Sequence, residues 1–258
     1  MKSRGVLLAG NWKMNHLQKD TIQFLTALAP VLKNSPKTNS QMRIYIPALS
    51  LETAVKKVTA DSIPLQVGCQ NAHFEKSGAF TGEISIPMLQ EIGVHQVLVG
   101  HSERRQLFGE TNETVLKRTV SALDQGAEVL VCVGETLDER NLGKMESVLQ
   151  SQLEFLTQNE TTRKAFGNKL HIAYEPVWAI GTGVTASPAQ AQEAHAFIRN
   201  FLDRKIGPDT ANATRILYGG SVTPANFKEL LGCSDIDGGL VGGASLKIES
   251  WTQLWALI

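Results

Sequence analysis

Eight short apolar segments recur along the chain, at Val6–Ala9, Arg43–Ile46, Leu65–Cys69, Gln96–Gly100, Glu128–Val133, Leu170–Tyr174, Arg215–Tyr218 and Gly239–Val241. Apolar residues run through them almost without interruption instead of alternating with polar ones. That pattern predicts strands covered on both faces, as in a parallel sheet wrapped by helices. Between them lie stretches of helical periodicity, among them Gln18–Leu32, Glu113–Gln125, Lys144–Leu156 and Pro188–Ile206. The last carries its own start and stop signals: Ser187 as N-cap, Pro188 in the first helical position, and Gly207-Pro208 beyond its end. Alternating strand and helix predicts βαβ units with right-handed crossovers. Eight such units in 258 residues match the size of a closed (β/α)8 barrel. The structural rival, an open doubly wound sheet, usually carries fewer strands. No linker interrupts the series, so one α/β barrel domain over residues 1–258 is expected.

The polar and glycine-rich residues favour the barrel again. They cluster just after the strands: Asn11-Trp12-Lys13, Gln70-Asn71, His101-Ser102-Glu103-Arg104, Gly134-Glu135, Glu175-Pro176, Gly219-Gly220-Ser221 and Gly242-Gly243. Barrel active sites are built from these strand ends and the adjoining loops.

Composition narrows the function classes. The 25 basic and 25 acidic residues cancel, which leaves no electrostatic footprint for nucleic acid or an anionic membrane. Three cysteines, Cys69, Cys132 and Cys233, are odd in number and far apart, which argues against a disulfide framework or a zinc site. Reduced thiols fit a cytoplasmic protein. The apolar run from Gly5 stops at Asn11, too short for a secretion signal, and no run approaches a membrane span.

Each candidate group has a plainer reading beside the chemical one. Glu175 ends an apolar strand, where a buried ion-pair partner is as good an explanation as a base. The next stretch but one residue, Val177-Trp178-Ala179-Ile180-Gly181-Thr182-Gly183, is too apolar for an idle surface loop, and its glycines permit unusual backbone angles. The segment from Pro176 to Gly183 reads as a lid. Gly181 to Ala186 also fits the dinucleotide pattern G-x-G-x-x-A, but that fingerprint must leave a strand and open a helix directly, and this one does neither. His101 at a strand end is more often structural. Here Ser102 is the expected N-cap and Glu103 sits in the first turn, so the positive helix end would keep a neutral imidazole. A neutral ring can donate a hydrogen bond to a substrate oxygen. Lys13 is most simply a solvated lysine; in the company of Asn11, a base and His101 it could stabilise a developing enolate. Gly219-Gly220-Ser221 and Gly242-Gly243-Ala244-Ser245 are each weak signals, commonly tight turns. Together, after the seventh and eighth strands, they mark the usual phosphate site of a barrel, built from backbone N–H groups.

Six strings in order resemble the triosephosphate isomerase family: GNWKMN (10–15), GAFTGE (78–83), GHSERR (100–105), AYEPVWAIGTG (173–183), YGGSV (218–222) and LVGGAS (240–245). The resemblance covers Gly10 to nearly the end and implies a TIM barrel. It also implies interconversion of dihydroxyacetone phosphate and glyceraldehyde 3-phosphate, a step of glycolysis and gluconeogenesis, without metal or organic cofactor. By position, Glu175 becomes the general base, His101 the neutral electrophile, and Lys13 and Asn11 the groups that serve the enediolate oxygens. Glu103 joins the catalytic set, either holding Lys13 or purely structural. Gly181, Ser221, Gly242 and Gly243 would hold the phosphate. Tyr174, Glu135 and Tyr218 match residues that latch the lid, though each could be core packing. The tuned base, neutral histidine and water-excluding loop form a pattern known from this enzyme. The resemblance further implies a homodimer, with the loop Asn71 to Glu83 inserted into a second subunit so that Thr81 reaches its Asn11 and Lys13.

Four departures stand out. His16 and Val184 occupy positions where many members have glycine and lysine, Gly239 one often held by a larger residue, and His73-Phe74-Glu75 is an individual version of its loop. None touches a proposed catalytic group. Two rivals remain: a barrel isomerase or lyase for a larger sugar phosphate, and a non-catalytic phosphosugar-binding barrel. The latter would need none of Glu175, His101 and Lys13.

Overall fold

In the computed structural model, which describes residues 4–180 and 185–258, eight strands close into one parallel barrel in sequence order. They are β1 (Val6–Asn11), β2 (Ser40–Ile46), β3 (Gln66–Cys69), β4 (Gln96–Val99), β5 (Glu128–Val133), β6 (Leu170–Tyr174), β7 (Ile216–Tyr218) and β8 (Gly238–Val241). Closure is made by β1 against β8, where Leu7 lies beside Gly238 and Gly10 beside Val241. A closed parallel sheet with helices outside leaves no strand face wet, which is why the strands read as apolar runs. The predicted helices are present at Gln18–Asn34, Asn112–Asp124, Met145–Gln158 and Pro188–Ile206. In the last, the Ser187 side chain accepts from Gln190 N as the expected cap.

The core has two parts. One lies between the strands and the surrounding helices. The other fills the barrel and consists of Leu7, Ala9, Tyr45, Leu98, Leu130, Cys132, Ala173, Leu217 and Leu240. Residues two apart on a strand share a face. The positions above this inner layer therefore include Asn11, Glu175, Gly219 and Gly242, with Gln70 two residues beyond Gly68, which faces the Tyr45 ring. Those below it are Arg43, Gln66, Glu128, His171 and Arg215, a polar floor. Arg43 is completely buried there and donates to Gln66 Oε1, to Glu128 and to the Tyr45 hydroxyl.

Two departures from the family pattern have a visible physical basis. His16 adopts φ 67°, the left-handed region that glycine enters without cost, and packs its ring 4.5 Å from that of Trp12. At Gly239 an added Cβ would stand 3.2 Å from the Phe227 ring, so Phe227 already fills the space a larger residue would take. Val184 lies outside the described residues.

Candidate active site

The upper ends of β1, β4, β6, β7 and β8 surround a cavity of about 350 Å³. Asn11, Lys13, His101, Glu175, Ser221, Gly242 and Gly243 all line it. Eight of the nine residues expected from the sequence are thus placed, those seven on the cavity wall and Glu103 beside them; Gly181 lies outside the described residues.

Glu175 is held just past the end of β6 by its own N–H, which donates to Val133 O at 2.7 Å. Its carboxylate is buried and accepts from Ser102 N and from His101 Nε2, both at 2.9 Å. Burial pushes its pKa up, but His101 and the Ser102 amide outweigh burial and leave it below the ordinary value.

His101 itself caps the helix Ser102–Phe108, correcting the expectation that Ser102 would. Its Nδ1 accepts from Glu103 N at 3.2 Å. The reason is geometric: Gly100, at φ 70°, turns the chain so that the imidazole reaches the position a serine oxygen would otherwise take. Burial opposes the imidazolium, while the Glu175 carboxylate favours it strongly enough to raise the pKa, against the expectation that the helix end alone would hold the ring neutral. The amide at Nδ1 decides which atom carries the proton. An acceptor at Nδ1 has no proton, so the neutral ring is the Nε2–H tautomer aimed at Glu175 and the cavity.

Lys13 sits at φ 51°, a left-handed conformation that is costly for any residue with a Cβ and that gathers at functional sites. Three contacts maintain it. Lys13 N donates to Asn11 Oδ1 at 3.0 Å, Gln70 Nε2 donates to Lys13 O at 2.9 Å, and the Lys13 ammonium pairs with Glu103 Oε1 at 2.5 Å. Glu103 therefore acts on Lys13 and does not itself line the main cavity.

The glycines divide by cause. A Cβ on Gly219 would meet Glu175 Cγ at 2.9 Å, and one on Gly220 would meet the Tyr218 hydroxyl at 2.3 Å, so close packing explains that pair. Gly242 and Gly243 face open space or nearly so, with only Lys13 Cε at 3.8 Å from the first. Both line the cavity, at the start of the short turn Gly243–Leu246, the kind of position where backbone N–H groups meet an anion.

On the far side of Glu175, Glu135 is fully buried and accepts from Tyr174 Oη at 2.9 Å and Trp178 Nε1 at 3.0 Å. Burial raises its pKa. Burial likewise pushes the Tyr218 phenol up to about 12. The place of Gln70 just after β3 marks it in the sequence, whereas the Ser102 amide, as a backbone donor, has no sequence signal.

Comparison with known proteins agrees with this geometry. The family model described as triosephosphate isomerase matches residues 6–258. The triosephosphate isomerase of Magnetococcus marinus is 48% identical over 253 residues, covering 97% of each chain. That of Solibacter usitatus is 47% identical over 97% of this chain and 98% of its own, and that of Aquifex aeolicus 44% over 96% and 97%. A barrel with this constellation at its mouth, matched along almost all of its length, belongs to the triosephosphate isomerase family.

Proposed function

We propose that this isomerase interconverts dihydroxyacetone phosphate and D-glyceraldehyde 3-phosphate with Glu175 as base, the whole chain 1–258 acting as one barrel domain. Glu175 takes a proton from the carbon beside the carbonyl, and the released electron pair forms the enediolate. His101 Nε2–H and Lys13 stabilise its oxygens, with Asn11 assisting; the hydroxyl proton passes from the first oxygen to the second beside His101, and Glu175 returns the carbon-derived proton to the neighbouring carbon, which leaves the aldehyde. The phosphate is held by backbone groups at Ser221, Gly242 and Gly243, with Gly181 completing the set. A cavity of about 350 Å³ lies at the small end of ligand sites and suits a three-carbon phosphate.

The observation that carries this reading is the His101–Glu175 contact at 2.9 Å. It keeps the carboxylate a weak base while the site is at rest. When a substrate carbonyl takes the His101 N–H, Glu175 loses the partner that lowered its pKa, while burial, which raises it, remains. The base strengthens as substrate arrives. Pro176 and the turn Val177–Ala179 begin the segment that would exclude water from the enediolate. The test is a coupled assay for aldose formation from the ketose phosphate in the presence of a chelator. No turnover by folded protein overturns the reading.

A homodimer fits the surface beside the site. A second opening of about 360 Å³ is lined by Lys13, Gln70, His101 and Glu103 together with Met14 and Phe108. Met14 is 95% and Phe108 67% exposed, an apolar rim unusual for a monomer. The loop 71–83 is the expected occupant from a second copy. Its Phe80 packs on His73, with ring centres 4.3 Å apart, yet stays 42% exposed. The same patch on both chains gives two-fold symmetry. No helix among the described residues is long and apolar enough to cross a membrane. The buried thiols Cys69 and Cys132 suit a reducing, cytoplasmic setting.

A further inference from the structure

Glu175 is bracketed by one residue. Glu135 accepts from Tyr174, immediately before the base, and from Trp178, three residues after it, while its backbone carbonyl accepts from Val177 N at 3.1 Å. Three bonds to one residue fix the chain on both sides of the catalytic carboxylate. This bracket depends on Glu135 being an acceptor. Both side-chain bonds end on Oε1, so a carboxyl protonated on its unpartnered Oε2 would still accept them, but without the charge that roughly doubles their strength.

A fully buried carboxylate is costly without a cation. Burial drives Glu135 toward its neutral form, and the hydrogen bonds of Trp178 and Tyr174 and the charge of Arg140 act against it. Arg140 is the cation in reach. Its Nη1 stands 3.6 Å from Glu135 Oε1, its Nη2 donates to Glu193 at 3.0 Å, and its guanidinium lies 5.9 Å from the Trp178 ring centre. Glu135 Oε2 and Arg140 Nη1 are both buried without a hydrogen-bond partner among the described residues. An unsatisfied nitrogen thus stands beside an incompletely satisfied carboxylate, just beyond bonding distance. Glu193, on the helix Pro188–Ile206, holds the guanidinium there.

We propose that Arg140 is a positioning residue for the general base: anchored by Glu193 over the face of Trp178, it supplies the charge that keeps Glu135 a carboxylate and the Tyr174–Glu135–Trp178 bracket around Glu175 intact. It touches no reacting atom and acts through Glu135. The inference rests on the reading of Glu175 as the base.

A double-mutant cycle tests it. Glu135→Gln keeps an acceptor oxygen for Trp178 and Tyr174 but needs no cation. With Glu135 present, Arg140→Met lowers kcat by at least about tenfold through misplacement of the base. KM and inhibition by inorganic phosphate then change by less than about twofold, because the phosphate pole is untouched. Arg140→Lys, which keeps the charge, recovers most of that loss. In the Glu135→Gln background, Arg140→Met costs less than about twofold more. Equal losses in the two backgrounds, or unimpaired kcat in Arg140→Met alone, overturn the proposal. The near-ultraviolet signal of Trp178, assigned by difference against Trp178→Phe, moves through the same cycle without turnover. The bracket and the reaction can therefore fail separately.

Discussion

Replacing Glu175 by glutamine separates chemistry from structure, and the resting contacts set the size of both effects. The carboxylate accepts two hydrogen bonds at 2.9 Å, from Ser102 N and His101 Nε2. A glutamine amide has one oxygen and one NH2 group, so it can satisfy one donor and must turn its own N–H toward the other. The loss of a charge-assisted bond in a buried site costs about 1.5–3 kcal/mol. Glu175→Gln is therefore expected to lower stability by roughly that amount at neutral pH, which urea unfolding measures. The sign with pH is set by the lowered native pKa. Stability from such a group is present above the unfolded carboxylate value, about 4.3, and disappears as acid protonates the native form. The deficit of the variant must shrink below about pH 4.

Turnover falls independently, by about 10²–10⁴-fold for loss of a general base. Inorganic phosphate should bind as before, since Ser221, Gly242 and Gly243 are unchanged. The assay is the coupled measurement of aldose formation alongside phosphate competition. Near-normal turnover in a variant with native circular dichroism would refute the assignment of Glu175. Equal loss of turnover and of phosphate binding would mean that the site had collapsed and that Glu175 is a structural ion-pair partner.

Other predictions address single features. Phe80→Asp should convert a dimer of about twice 28.1 kDa into a poorly active monomer, read by analytical ultracentrifugation at micromolar concentration; a fully active native monomer would exclude the dimer. Gly239→Phe should destabilise by about 1–3 kcal/mol because Phe227 occupies the space, and Phe227→Ala in the same chain should recover much of the melting temperature. Burial holds the His171 pKa down to about 3, so the unfolded chain binds the extra proton first and stability falls as pH drops from about 6.5 toward 3, by up to about 1.4 kcal/mol per unit; His171→Gln should flatten that slope in urea melts. Deleting the middle of the lid segment should raise the ratio of inorganic phosphate released to aldose formed, and an unchanged ratio would remove its protective role.

The strands are legible because a barrel wrapped in helices makes each one apolar on both sides. The apolar segments at Glu128–Val133 and Leu170–Tyr174 coincide with β5 and β6. The chemistry at the barrel mouth is legible for the opposite reason: polar residues and glycines interrupt apolar runs at the same end of nearly every strand. Contacts made by main-chain groups leave no such trace. That Ser102 enters through its amide and His101 as the cap depends on a backbone turn at Gly100, and both residues look the same in the sequence with the roles exchanged. Gly219 reads as part of a phosphate loop, whereas the approach of Glu175 Cγ accounts for it.

The polar floor shows where pattern reading misleads. Arg43, Glu128 and Arg215 open apolar segments, and polar residues in such places read as strand boundaries pointing at water. Each instead lies two residues before an inner-layer side chain, Tyr45, Leu130 or Leu217, and so faces the barrel axis. Arg43 can be buried only because Gln66, Tyr45 and Glu128 take up its donors, and each of these sits on a strand whose register is set by barrel closure. No local property of residue 43 announces those partners, since Glu128 comes from three strands away in sequence. The mouth and the floor are built from the same inward periodicity. At the mouth, Glu175 meets an accessible cavity and His101 Nε2. At the floor, Arg43 is completely buried and each of its three nitrogens already meets a partner from the barrel itself. Chemistry gathers at the end of the barrel where the polar groups can exchange partners.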